Sequence, residues 1–241
     1  MPMIVSKGAA SAQGFGFALK TGGATGTFAI FALGQSGCVT YSTTRNKYTY
    51  ACNSSPTTTA ATTGSRYGSA AGNSTRGIFH LGSTACVFRV KTRVKFTYAC
   101  STNGSAACAT IGSLYSSATG NGTKGIFAVG CTACGRSVVR NKYIYACDTS
   151  PTGGSATGCG YRYGSAAGNS TIGIFAQGCT GSQSTTRCKY TYSSDTSVSA
   201  TAATANSSRG SAVGNSTRGI FALGNGFCGP ITTRKIGRAH V

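Results

Sequence analysis

Cations recur at fixed positions along this chain. Arg45, Arg93, Arg140 and Arg187 are each followed two residues later by Lys47, Lys95, Lys142 and Lys189, and Arg234 continues the arginine series. Arg76, Lys124 and Arg218 open a second repeated run. Guanidinium and ammonium groups at periodic sites concentrate positive potential, and the chemistry they offer is capture of anions. Counter-charge is scarce: 22 Lys and Arg stand against two acids, Asp148 and Asp195, with no Glu, for a formal charge of +20.

That scarcity excludes most catalysis. General acid–base and glycosidase chemistry need convergent carboxylates or a His with an orienting partner. Asp148 and Asp195 occupy equivalent sites in successive repeats, which keeps them one repeat apart, and His80 is the one His before residue 235. No phosphate loop and no Ser/His/Asp set can be assembled. Cys131-Thr132-Ala133-Cys134 is a single CxxC without the second pair that zinc requires. The expectation is no enzymatic activity, no metal and no cofactor.

The other reactive residues are the twelve cysteines. Cys38, Cys86, Cys134 and Cys228 each lie four residues after a repeated Gly, and Cys52, Cys100 and Cys147 each lie two residues after a repeated Tyr. In the fourth unit both positions are Ser, Ser182 and Ser194. Joint loss suggests contact, so the spacing predicts disulfides Cys38–Cys52, Cys86–Cys100 and Cys134–Cys147, with free thiols serving as small apolar groups the alternative. Each bridge would contribute roughly 3 kcal/mol in the loop-entropy model and favour an oxidising compartment.

The elements that position these groups are copies of one unit. Ile30-Phe31, Ile78-Phe79, Ile126-Phe127, Ile174-Phe175 and Ile220-Phe221 each sit in a run closed by Gly, and the Phe positions step by 48, 48, 48 and 46. A period of this size marks a propeller, solenoid or other array. A second strand follows in each unit, as in Arg45-Asn46-Lys47-Tyr48-Thr49-Tyr50. Alternation puts Arg45, Lys47 and Thr49 on one face and Tyr48 and Tyr50 on the other. A Ser/Thr-rich segment comes next, a loop or a weak outer strand. A small-residue strand such as Ser69-Ala70-Ala71-Gly72 then turns through Asn73-Ser74-Thr75 into the next Ile-Phe strand. Large aliphatic residues are too few for one unit to offset its chain entropy alone, so neighbours must share a core.

This order of strands resembles a kelch-type blade in repeat proteins of microbial and phage origin. Two departures stand out: the closing Gly is not doubled, being followed by Gln35, Ser83, Cys131, Cys179 and Asn225, and the chain has no Trp. The resemblance implies a binding scaffold rather than a reaction. The expected fold is all-β, a repeat array of about 47–48 residues per unit forming a β-propeller of about five blades, complete or incomplete, with a β-solenoid as alternative. Residues 1–234 form a single array, with units at roughly 1–65, 66–113, 114–161, 162–208 and 209–234. Residues 235–241 look like a translated sequencing adapter, a non-native tail on a metagenomic fragment whose natural protein continues.

The expected function is recognition, an adhesin or a phage or cell-surface protein contacting anionic glycans or envelope polymers. The alternative is a purely structural repeat with incidental charge, set among other protein subunits. Nucleic acid is disfavoured, because the strand tyrosines face away from the Arg and Lys residues and bases could not stack beside the phosphate contacts. No apolar run is long enough to cross a membrane as a helix. Residues 1–10 lack a signal-peptide core, yet the expected location is extracellular or at a virion or cell surface.

Overall fold

The computed structural model describes residues 28–32, 35–36, 40–49, 52–84, 88–133, 135–155, 162–176, 178–179, 182–206, 208–222, 224–226, 229–230 and 234–238, and every regular element among them is a β-strand. The second repeat forms one antiparallel sheet in the order Ser69–Gly72, Arg76–His80, Arg93–Thr97, Thr102–Ala106. The third repeat gives Ser117–Gly120, Lys124–Ala128, Arg140–Ile144 and Thr152–Gly153. The fourth gives Ser165–Gly168, Ile172–Ala176, Arg187–Thr191 and Thr196–Ala200. These positions are the inner, second, third and outer strands. The first repeat shows the second, third and outer strands (Phe28–Ala32, Arg45–Thr49, Thr57–Thr58). The fifth shows the inner, second and third (Ser211–Gly214, Arg218–Ala222, Arg234–Arg238). The Ser/Thr-rich segment therefore supplies an outer strand.

No strand of one repeat pairs with a strand of the next among the described residues, so the continuous sheet of a solenoid is not formed. Instead the inner strands abut in chain order, Ser69–Gly72 against Ser117–Gly120, then Ser165–Gly168, then Ser211–Gly214. The sheets converge at their small-residue edges as the blades of a β-propeller-like array. Ser, Ala and Gly at those edges permit the close approach.

The core lies between blades. Ile30 packs with Ala70, Phe79 and Phe96 of the second blade. Ile78 packs with Phe127, Tyr143 and Tyr145 of the third, and Ile126 with Phe175, Tyr190 and Tyr192 of the fourth. Ile30, Ile78 and Ile126 face forward and Phe79, Phe127 and Phe175 backward, because consecutive strand residues point to opposite faces. Neighbours share each of these three clusters, as the composition requires, while a smaller one, Leu81 with Val90 and Val94, lies within the second blade.

The turn into each second strand adds a hydrogen-bonded link. Asn169 Oδ1 accepts from Thr171 N, Thr171 Oγ1 and Ile172 N, while its Nδ2 donates to Ser216 O of the fifth blade at 3.1 Å. Asn73 and Asn121 do the same, donating to Gly122 O and Ser170 O. One amide thus closes its own hairpin and ties it to the next. Asn169→Ala is expected to cost about 1–2 kcal/mol, since it removes the link to Ser216 O and leaves the half-buried Ile172 amide without its acceptor. Asn169→Asp keeps the acceptor and should cost less. Thermal midpoints of the two variants against the parent measure the difference.

Of the segment read as a non-native tail, residues 235–238 complete the third strand of the fifth blade, pairing Phe221 with Lys235 and Gly219 with Gly237. Residues 239–241 lie outside the described residues.

Candidate anion-binding face

The strand ends define two faces of the array. One carries the Asn-Ser-Thr turns and the turns between third and outer strands. The other, here the loop face, carries the longer connections from second to third strand and from outer strand to the next blade.

The repeated arginines do not form a solvent-facing ring. Arg45, Arg93 and Arg140 are each 1% exposed and Arg187 is 9% exposed. Each guanidinium lies over the Phe of the following blade: Arg45 on Phe79 at 4.5 Å, Arg93 on Phe127 at 4.3 Å, Arg140 on Phe175 at 4.8 Å and Arg187 on Phe221 at 4.7 Å. Arg45 donates to Asn103 and Arg93 to Ser150, again across the junction. Desolvation lowers the pKa of Arg45, Arg93 and Arg140 to about 10, so all three stay charged at neutral pH. They are inter-blade staples, and the correction to the sequence reading is one of burial. The side chain of Arg234 lies outside the described residues.

Three of the repeated lysines are also committed. Lys95 Nζ meets Asp148 at 2.7 Å, and Lys124 Nζ meets Asp195 at 2.9 Å, where Lys142 joins it. Tyr143 and Tyr190 donate to the same carboxylates. Burial alone would raise both acids, but hydrogen bonds from Lys95, Tyr143 and the Ala107 amide hold Asp148 at about 2. Those from Lys142, Lys124 and Tyr190 do the same for Asp195. Both aspartates occupy the left-handed turn position that Asn53 and Ser101 fill in the earlier blades. Lys47 and Lys189 are half-buried, as is Arg76, whereas Arg218 is exposed beside its Asn turn.

The expected disulfides are not formed: Cys52, Cys100 and Cys147 are exposed free thiols. They lie in the turn at the far end of the third strand from the loop face, where the segments flanking Cys38, Cys86 and Cys134 run. Five extended residues span about 16 Å, well beyond the roughly 4.4–6.8 Å between bridged Cα atoms. Cys38, Cys86 and Cys134 themselves lie outside the described residues. The recurrence has a local cause. Cys52, Cys100 and Cys147 each place Sγ near the hydroxyl two residues on, and Ser194 makes the same contact with Thr196 at 2.7 Å. Cys188, in a third strand, is fully buried.

The loop face carries a group that the strand pattern hid. Tyr67, Tyr115, Tyr163 and Arg209 stand at equivalent positions just before the inner strands, all with left-handed backbone, φ 62, 56, 61 and 59°. The closing Gly of each second strand makes room for them: at Gly130, φ +71°, an added Cβ would strike the carbonyls of Leu114 and Tyr115. Tyr115 N donates to Tyr67 O, and Arg209 N to Tyr163 O, both at 2.9 Å. The side chains continue the arc. Tyr67 and Tyr115 have ring centroids 4.6 Å apart, and Tyr115 and Tyr163 4.1 Å. Arg66 lies between Tyr41 and Tyr67, at 4.8 and 4.7 Å, while Arg162 and Arg209 both lie over Tyr163. Burial raises the Tyr115 phenol above its ordinary pKa, with a hydrogen bond to Tyr163 adding to the shift. The Arg66-Tyr67-Gly68 and Arg162-Tyr163-Gly164 runs were the available signal.

Arg66, Arg89, Lys91, Arg136, Arg162 and Arg209 all lie on loop-face connections, and both acids lie on the opposite face. The described loop face therefore carries cations, phenols and no carboxylate. No helix among the described residues is long and apolar enough to cross a membrane.

No protein-family model and no curated protein matches the chain. Among solved structures it is similar to the structure of YjhT, with a TM-score of 0.66 and 13% sequence identity, over 90% of this chain and 82% of that one. At that identity the likeness is one of fold, and the fold is a β-propeller-like array.

Proposed function

We propose that this chain is a kelch-like propeller repeat protein acting as a non-catalytic recognition scaffold, and that its loop face takes an acidic glycan or envelope polymer outside the cell or on a virion or cell surface. The observation that carries this reading is the Tyr67–Tyr115–Tyr163–Arg209 arc with its flanking guanidinium groups. The tyrosine rings pack against one another at a tilt, 54° and 41° between planes, which leaves little room for a base to insert between them. Phenol hydroxyls and guanidinium forks suit the hydroxyl, carboxylate and sulfate groups of an acidic sugar chain. Asp148 and Asp195, each tied to lysines at separate junctions, support a role without catalysis.

The test is a binding panel of a polyuronate, a sulfated polysaccharide, single-stranded DNA and neutral dextran at low and high salt. Tyr115→Ala and Arg209→Ser are run beside the parent. The expected result is polysaccharide binding that persists at high salt and weakens about tenfold in each variant, equivalent to about 1.4 kcal/mol. Equal binding to every polyanion, lost with salt and indifferent to both substitutions, reduces the face to general electrostatics. DNA binding tighter than polysaccharide binding reverses the choice of polymer. No binding by a folded sample favours the structural-repeat reading.

A further inference from the structure

Three of the four described junction arginines find an oxygen acceptor: Arg45 in Asn103, Arg93 in Ser150 and Arg140 in the Val138 carbonyl at 3.5 Å. Arg187 finds none among the described residues. Its guanidinium lies over Phe221, and its buried Nε has no partner. A cleft opens beside it between the fourth and fifth blades.

The walls of this cleft are chosen for an anion. Ser165, Ser184, Thr186 and Ser208 contribute hydroxyl-bearing side chains, Phe221 contributes a ring, and neither aspartate is present. Ser184 Oγ donates to Thr186 Oγ1 and accepts from Thr186 N, both at 3.1 Å, which fixes both side chains. A cation nine-tenths buried without a counter-charge is costly unless something else supplies one. The cleft has room for about one water-sized group, so it admits the oxygens of an oxyanion seated at its mouth and not a whole sugar ring.

We propose that this cleft is a site for one small oxyanion group, a carboxylate or a sulfate, bound by the Arg187 fork and the surrounding hydroxyls. The cleft touches the loop-face arc at Tyr163, but the inference stands on Arg187 and the hydroxyls of the fourth junction and does not need the arc to bind a polymer. The anion has two sources, a free inorganic ion or the acidic group of a saccharide.

The experiment is a titration of the full chain with sodium sulfate and with sodium glucuronate, against sodium chloride at matched ionic strength. The Nε–H resonance of Arg187 is followed by NMR. The expected result is a saturable shift of that resonance and a rise in thermal midpoint, both lost in Arg187→Gln and retained in Arg140→Gln. Saturation by sulfate but not glucuronate assigns a free ion, and saturation by both assigns the group rather than its carrier. A shift that tracks ionic strength without saturating overturns the proposal in the parent protein itself, whether or not Arg187→Gln folds. Equal stabilisation of parent and Arg187→Gln also overturns it. Ser208→Ala, a smaller change, should weaken sulfate binding several-fold while leaving the blades intact. Polysaccharide binding that survives loss of the cleft leaves the loop-face reading standing, so the two ideas fail separately.

Discussion

Replacing Arg93 by Ala is expected to lower stability by about 3–4 kcal/mol, while replacing it by Met should cost less than about 1 kcal/mol. The guanidinium lies 4.3 Å from the Phe127 centroid and 5.9 Å from that of Tyr143, and it donates to Ser150. A desolvated cation–π contact is worth about 2 kcal/mol, and the buried aliphatic stem adds packing. Against this stands the cost of burying a cation with no carboxylate, where Nε and Nη2 have no hydrogen-bond partner. Each unmet donor costs about 1–3 kcal/mol, so the charge itself contributes little net stability. Volume is what wins. Alanine leaves a cavity between the second and third blades, whereas methionine fills it and keeps a polarizable group on the ring. Urea midpoints at unchanged slope give the two values. A methionine variant as unstable as the alanine variant would show that the guanidinium contacts outweigh the packing.

The Arg93 site also shows what could be read from the sequence. Period, strand order and the Asn-Ser-Thr hairpins were legible, because alternation and turn chemistry are local properties. The arginine series was legible as a series, since an Arg stands at this place in every unit. Its burial was not. Register pairs Arg93 with His80 within its own sheet, but the partner that hides it, Phe127, belongs to the next sheet, and one strand does not reveal how its neighbour stacks. In a chain with two acids, an arginine also reads as a surface group. The cysteines failed for a related reason. Joint replacement at Ser182 and Ser194 resembled a lost bridge, yet Ser194 keeps the local contact that Cys52 makes. The tyrosine arc was missed because its members precede the strands that carry the strongest pattern.

Stability should fall by about 2 kcal/mol between pH 6.5 and pH 5 in the parent protein and stay flat in His80→Gln. His80 replaces the Ala that other blades carry at the end of the second strand, and it is 2% exposed. Its Nε2 lies 3.0 Å from Ser113 Oγ, and its Nδ1 has no partner. Burial, reinforced by the nearby Arg93 charge, lowers its pKa from 6.5 to about 3. Below pH 6.5 the unfolded chain takes up a proton that the folded chain refuses, so stability is lost as pH falls, at about 1.4 kcal/mol per unit. The loss continues to about pH 3, where the folded imidazole also protonates. Asp148 and Asp195 act in a lower window. Their folded values near 2 lie below the ordinary 3.8, so their contribution is present above pH 3.8 and fades as pH drops toward 2. With no Glu, and His240 the single other histidine, little else titrates between pH 5 and 6.5. The slope in that interval therefore counts protons at His80. Chemical denaturation at half-unit steps reads it directly, and a flat parent curve would mean that the ring is solvated or meets a counter-charge.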